Sequence, residues 1–343
     1  MFEPGAFVRR LPKVQLHCHL EGTVRAQTFR ELAALRGVDS KRARGALADT
    51  YAFATFGEFL LTFAEVCKTL QRPEDYARIA RDYVQDAAAQ NVRYAEIFIS
   101  PSVWTFLHGG LDVQETVEAM REVFDDEGAR AGIEVALICD LTRNWGAQRA
   151  LETARVAVAL AEEGLGVVAI GLGGDEANAP ADLFAEPFAF ARASGLHVVA
   201  HAGEAAGAGS VRDAIEILGA ERIGHGVRAV EDPAVVGLLV ERGVALEICP
   251  TSNRLTGAVA AGVPHPIGAL DAAGVRCTVD ADDPALFSTT LLDEYELIAT
   301  WCGEAALERF ARNAIEASFA SPERKASLHA ELEEATSPEM PAR

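Results

Sequence analysis

Short apolar runs, rich in β-branched residues, recur along the chain and are separated by longer stretches with apolar positions at helical spacing. The runs are 13–20 (KVQLHCHL), 91–99 (NVRYAEIFI), 133–140 (IEVALICD), 165–172 (LGVVAIGL), 195–202 (GLHVVAHA), 221–225 (ERIGH), 243–249 (GVALEIC) and 275–281 (GVRCTVDA). The stretches 74–90, 113–131, 147–163, 182–193, 210–218 and 232–242 predict amphipathic helices. This alternation is the rhythm of βα units. Eight strands is the number that closes a parallel barrel, so the expected fold is α/β, a TIM (β/α)8 barrel. Gly132, Gly195, Gly243 and Gly274 each stand just before a strand, where helix C-caps fall.

One interval breaks the rhythm. Roughly seventy residues separate the first two strands, about twice an ordinary βα repeat. Residues 22–72 are therefore expected to form a helical insertion after the first strand, placed over the barrel mouth as a lid. Residues 304–334 predict further helix, and the terminal SPEMPAR a frayed tail. No internal repeat or low-complexity linker divides the chain, so residues 1–343 are read as a single barrel domain.

Composition narrows the function classes. Half of the 343 residues are apolar, enough for a large core, yet no run is long enough to span a bilayer. The N-terminal MFEPGAFVRRLPK has no apolar signal core, which makes a cytoplasmic location the default expectation. The six cysteines, at 18, 67, 139, 249, 277 and 302, form no CxxC pair, and several sit in apolar runs as small hydrophobes. A formal charge of −20 without a Lys/Arg stripe argues against nucleic acid as partner. The expected partner is a small molecule, with no membrane contact; the oligomeric state is left open.

The candidate chemistry lies at strand ends. His17 and His19 are two apart on the first strand, so both side chains point to one face and can meet one metal. Taken alone, HxH is a weak signal, and two packing histidines are the more ordinary reading. His201 ends the fifth run in HAGE, His225 ends the sixth in RIGHG, and Asp282 and Asp283 follow the eighth in DADDP. In a barrel these ends converge at the C-terminal mouth, where active sites of the fold lie. Three neutral imidazoles and a carboxylate suit zinc with an open position for water. Glu204, three residues past His201, can shuttle a proton, and the remaining histidine can orient the nucleophile. His108, His197, His265 and His329 fall elsewhere and receive no role.

Two rival sites lose ground. A lysine-bridged binuclear centre needs a lysine near the fourth strand, and the four lysines are at 13, 41, 68 and 325. The zinc deaminases with an H-x-E and PCxxC signature are excluded because the chain has no PCxxC.

LPKVQLHCHLEG (11–22), GLGGDE (171–176), HAGE (201–204), RIGHG (222–226), CPTSN (249–253) and DADDP (280–284), in this order, resemble the adenosine deaminase family of the amidohydrolase superfamily. The resemblance implies one zinc per subunit, held by His17, His19, His201 and Asp282. It also implies that Glu204 protonates purine N1, that His225 positions the attacking hydroxide, and that Asp283 contacts N7. The Gly174 amide would meet N3, and His19 and Glu21 would lie against the substrate. Two departures stand out. The family's usual HxHLDG aspartate, which helps bind ribose, is Glu21 here. The Asn and Ser/Thr that usually precede the paired aspartates are Asp280 and Ala281. Adjacent Asp282 and Asp283 cannot both point inward from an extended strand, so a turn is expected there.

The implied activity is zinc-dependent hydrolytic deamination of adenosine or 2′-deoxyadenosine. The alternatives are another 6-aminopurine (adenine, a 5′-modified adenosine, aminodeoxyfutalosine) or, in a different class, a catalytically silent purine-binding relative.

Overall fold

A computed structural model describes residues 5–39 and 50–337. The eight strands are β1 (Lys13–His19), β2 (Val92–Ile99), β3 (Glu134–Thr142), β4 (Val167–Gly173), β5 (His197–Ala202), β6 (Arg222–His225), β7 (Ala245–Ile248) and β8 (Cys277–Val279). They run in sequence order, each parallel to the next. Helices fill the connections, among them Pro73–Ala89, Gly146–Glu162 and Pro233–Arg242. The result is the expected (β/α)8 barrel.

The seam between β8 and β1 is closed differently from the others. Only Cys18 and Asp282 form a bridge there: Asp282 N–H donates to the His17 carbonyl (3.0 Å), and His19 N–H to the Asp282 carbonyl (2.9 Å). Further down the seam the Asp280 carboxylate replaces a neighbouring strand. Its Oδ1 accepts from Leu16 N–H (2.6 Å) and His17 N–H (3.0 Å), and its Oδ2 accepts from the Thr278 hydroxyl (2.7 Å). Buried backbone donors are almost always paired, and here a side chain pairs them. That gives the departure at Asp280 a structural role.

Inside the barrel, Phe98, Ile138, Ala169 and Val199 from β2–β5 make a small apolar layer. Charged groups share that interior, with the His17 ring 5.0 Å from the Phe98 ring. His17 Nδ1 lies 2.8 Å from Glu247, Glu247 is 2.5 Å from Arg222, and Arg222 is 2.6 Å from Glu96, all fully buried.

Within 22–72, the described residues form a helix at Ala26–Arg36 and another at Phe56–Cys67; residues 40–49 lie outside the described part. Thr55 caps the second helix by accepting from Glu58 N–H. Phe59 stacks on Phe287 of the short helix Pro284–Phe287 after β8 (centroids 4.9 Å apart), which docks the Phe56–Cys67 helix at the mouth. The 304–334 stretch is two helices, Glu304–Ala317 and Pro322–Thr336, because Pro322 starts the second and cannot continue the first. Of the tail, only Ser337 lies within the described residues. No described helix is long and apolar enough to cross a membrane.

Candidate active site

At the C-terminal ends of the strands, His17, His19, His201 and Asp282 bring one ligand atom each within 4.8 Å of one another, all buried. His19 Nε2 is 3.2 Å from His201 Nε2, and Asp282 Oδ1 is 3.4 Å from His17 Nε2 and 3.5 Å from His19 Nε2. His17 Nδ1 is satisfied by Glu247, whereas its buried Nε2 has no hydrogen-bond partner. An orphaned imidazole nitrogen among three more donors is what a metal ligand looks like without its ion. The donor set, three nitrogens and one carboxylate oxygen, fits a tetrahedral divalent cation such as zinc.

Backbone geometry aims these groups. His225 and Asp282 adopt left-handed conformations, φ 62° and 60°. The turn at Asp282 lets it face the histidines while Asp283 turns toward Gly22. A Cβ on Gly22 would lie 1.9 Å from Asp283 Oδ1, so only glycine admits that carboxyl. Gly224 on β6 is similar: a Cβ there would lie 2.6 Å from the His17 ring.

The electrostatics separate the carboxyls. Asp282, despite burial, is held well below its ordinary range by His17, His225 and His19. Asp283 is pushed up by burial and by Asp282 beside it, which favours its protonated form. Burial, Asp282 and Glu176 raise Glu204 to about 8. Burial lowers His19 to about 3 and His225 to about 4, leaving both neutral. Burial also opposes charge on His17, but Asp282 and Glu247 outweigh it and raise its pKa; a cation held there would displace that proton. His225 Nε2 lies 3.6 Å from Glu204 Oε2 and 3.9 Å from Asp282 Oδ2.

A cavity of about 360 Å³ opens onto this cluster. His19, Gly174, His201, Glu204, His225, Asp282 and Asp283 line its polar end, and Phe56, Phe59, Leu60, Phe63, Val103 and Trp145 its apolar wall. Glu21 is placed differently from the other expected site residues. It is fully buried and does not line the cavity; its Oε1 accepts from Ser100 N–H (3.0 Å) and Trp104 Nε1–H (2.6 Å).

Several residues at the site receive no role in the sequence reading. Glu176 accepts from the backbone N–H groups of Gly203, Glu204, Ala205 and Ala206 (2.6–3.1 Å), holding the loop that carries Glu204. Asp140 lines the cavity with an unpaired Oδ1, and Asn253 with His265 stands behind His225. Of these, Glu176 and Asn253 fall inside family-like motifs and Asp140 ends the third apolar run, whereas His265 carries no local signal. His108, His197 and His329 bond to Cys67 O, Glu221 and Glu316, away from the cluster.

The adenosine deaminase family model matches residues 12–335. The chain belongs to the adenosine deaminase family. It is thus a hydrolase of the amidohydrolase superfamily, whose deaminases use a metal. Aminodeoxyfutalosine deaminase of Streptomyces coelicolor is 37% identical over 96% of this chain and 85% of its own length. Adenine deaminase of Rhizobium leguminosarum bv. trifolii is 37% identical over 94% of this chain and 99% of its own. Among solved structures, adenine deaminase from Arthrobacter aurescens superposes with a TM-score of 0.87 at 31% identity, covering 94% of this chain and 98% of that one. An amidohydrolase from Burkhoderia ambifaria with bound Zn gives 0.85 at 29% identity, covering 96% and 92%.

Proposed function

We propose that this protein removes the exocyclic amino group of a 6-aminopurine by hydrolysis, releasing ammonia and the 6-oxopurine. The observation that carries the reading is the buried three-histidine, one-aspartate set facing a cavity beside a carboxyl, Glu204, that keeps its proton at neutral pH. His17, His19, His201 and Asp282 are the residues that hold the metal, and zinc is the ion their donor atoms favour. When bound, zinc supplies a Lewis acid that lowers the pKa of a coordinated water to ~7.

The chain's own residues do the rest. Glu204 donates its proton to N1 and makes C6 electrophilic. His225 Nε2 orients the incoming oxygen. Asp283, still protonated, donates to N7, and the Gly174 amide reaches N3. The C6–O bond forms and the C6–N bond breaks; of the water's two protons, one leaves on ammonia by way of Glu204 and the other restores the Glu204 carboxyl. No ligand or acid is missing, which weighs against a catalytically silent relative.

For the substrate, Glu21 argues against adenosine. The carboxylate expected near ribose is turned away and held by Ser100 and Trp104. The similar proteins support the same shift, being named for aminodeoxyfutalosine and adenine. The aromatic outer wall offers surface to a large group on N9, so aminodeoxyfutalosine stands first and adenine second. The test is ammonia release by the zinc-loaded protein on aminodeoxyfutalosine, adenine, adenosine and 2′-deoxyadenosine. We expect one of the first two to exceed adenosine in kcat/KM by at least ~10-fold, the equivalent of one lost polar contact. Adenosine as the best substrate would return Glu21 to the substrate side. No ammonia from any of them would remove the deaminase reading.

A further inference from the structure

We infer that His265 is a positioning residue which, through Asn253, holds His225 in the tautomer that carries its proton on Nε2 and directs it at the reaction centre.

A backbone N–H, which can only donate, sets the polarity of the relay. Ile267 N–H points at His265 Nδ1 (3.3 Å), so Nδ1 is the acceptor. A neutral His265 then carries its proton on Nε2, which lies 3.2 Å from Asn253 Oδ1. That donor sets the Asn253 amide with oxygen toward His265 and nitrogen toward His225. Asn253 Nδ2 is 3.0 Å from His225 Nδ1 and donates to it. A neutral imidazole accepting at one nitrogen carries its proton on the other, here Nε2. Turning the amide over would set N–H against N–H at the His265 end and leave the buried groups unpaired.

The surroundings hold the relay still. Asn253 is fully buried in the Pro250–Leu255 helix, and its carbonyl accepts from Val259 N–H (2.8 Å). The His265 ring stacks on Trp301 with centroids 5.1 Å apart and planes 15° apart. Burial, with Arg254 nearby, lowers His265 to about 4, so it is neutral across the neutral range. The opposite tautomer of His225 would aim a lone pair at Glu204 and Asp282 and could not donate to the incoming oxygen.

That His225 serves the reaction rests on the function proposed above; its tautomer does not, and the two are measured separately. The zinc-loaded protein, labelled with 15N-histidine, is read by long-range 1H–15N correlation, with His225 assigned by a His225→Asn spectrum. The expected result is His225 with no proton on Nδ1 and one on Nε2. His265→Phe keeps the stack on Trp301 and removes the donor, and we expect it to mix the His225 tautomers. It should lower kcat by ~10-fold or more with KM nearly unchanged, because only a donor to the reacting oxygen is lost. His265→Gln restores a donor and should recover most of that loss. Asn253→Asp accepts from both rings and should move the His225 proton to Nδ1. A wild-type spectrum with the proton on Nδ1, or His265→Phe with an unchanged tautomer, would overturn the inference. A shifted tautomer with unchanged kcat would uphold the relay and instead remove His225 from the proposed chemistry. Should His265→Phe fail to fold, the wild-type and Asn253→Asp spectra still decide.

Discussion

His225 and Asp282 hold backbone conformations that L-residues avoid, φ 62° and 60°, and both line the candidate site. Each ends its strand with a reversal, which is how adjacent Asp282 and Asp283 come to face different groups. Their environments then divide the work, the first ionised among imidazoles and the second protonated against Gly22. Glu204 is the proton carrier in this scheme, and its carboxyl is not among the four candidate metal ligands, so its loss leaves them in place. Glu204→Gln is expected to bind zinc normally and to lose at least ~10²-fold in kcat, the usual scale of general acid–base assistance. Metal content with steady-state kinetics checks this, and near-wild-type turnover would take Glu204 out of its role. His17, His19, His201, Glu204, His225 and Asp282 are legible in the sequence because strand periodicity and strand ends announce them. His265 was not, because it acts through Asn253, twelve positions away, across a loop whose path no local pattern describes.

At the level of elements, the cavity is made where β3 and β4 end and the Phe56–Cys67 helix covers them. Gly171 and Gly173 on β4 leave a slot that the Asp140 carboxyl of β3 fills. A Cβ at Gly171 would lie 2.9 Å from Oδ1, and one at Gly173 2.7 Å from Oδ2. Burial, with Glu21 nearby, raises Asp140 from 3.8 to about 8, against weaker pulls from His17 and Arg143. The carboxyl is therefore protonated in the folded protein and ionised in the unfolded chain between those values. Its contribution to stability is fully present below pH 3.8 and is lost as pH rises through about 8. Asp140→Asn removes that dependence and should gain on wild type as pH rises, reaching ~1 kcal/mol or more by neutrality. Urea unfolding of both proteins at acid and neutral pH measures it; parallel losses would mean that Asp140 is ionised in the fold. Helix and strand positions here follow from periodicity, but the slot does not. It depends on which residue of a neighbouring strand sits opposite a glycine.

Across the whole molecule, a buried chain of charge runs from His17 through Glu247 and Arg222 to Glu96, so the candidate metal cluster is tied through His17 to an ion-pair network inside the barrel. The apolar core that wraps the barrel draws on all eight strands and owes nothing to the cluster. Chelator-treated protein is therefore expected to keep its far-UV circular dichroism while its Tm falls, since a ligand bound only by the folded state adds stability by mass action. Loss of secondary structure on chelation would instead make the metal part of the fold. Several things were settled by the sequence alone: eight strands in order, helices between them, the family, and the ligand types at the strand ends. These depend on local period and on short motifs, which neighbours in the chain carry. Tertiary structure decided the rest. It turned Glu21 away from the cavity, gave Asp280 the seam between β8 and β1, set Glu176 under the Glu204 loop, and brought His265 behind His225. Each of these is a pairing of polar atoms from distant segments, set by how buried groups find partners once the barrel has closed.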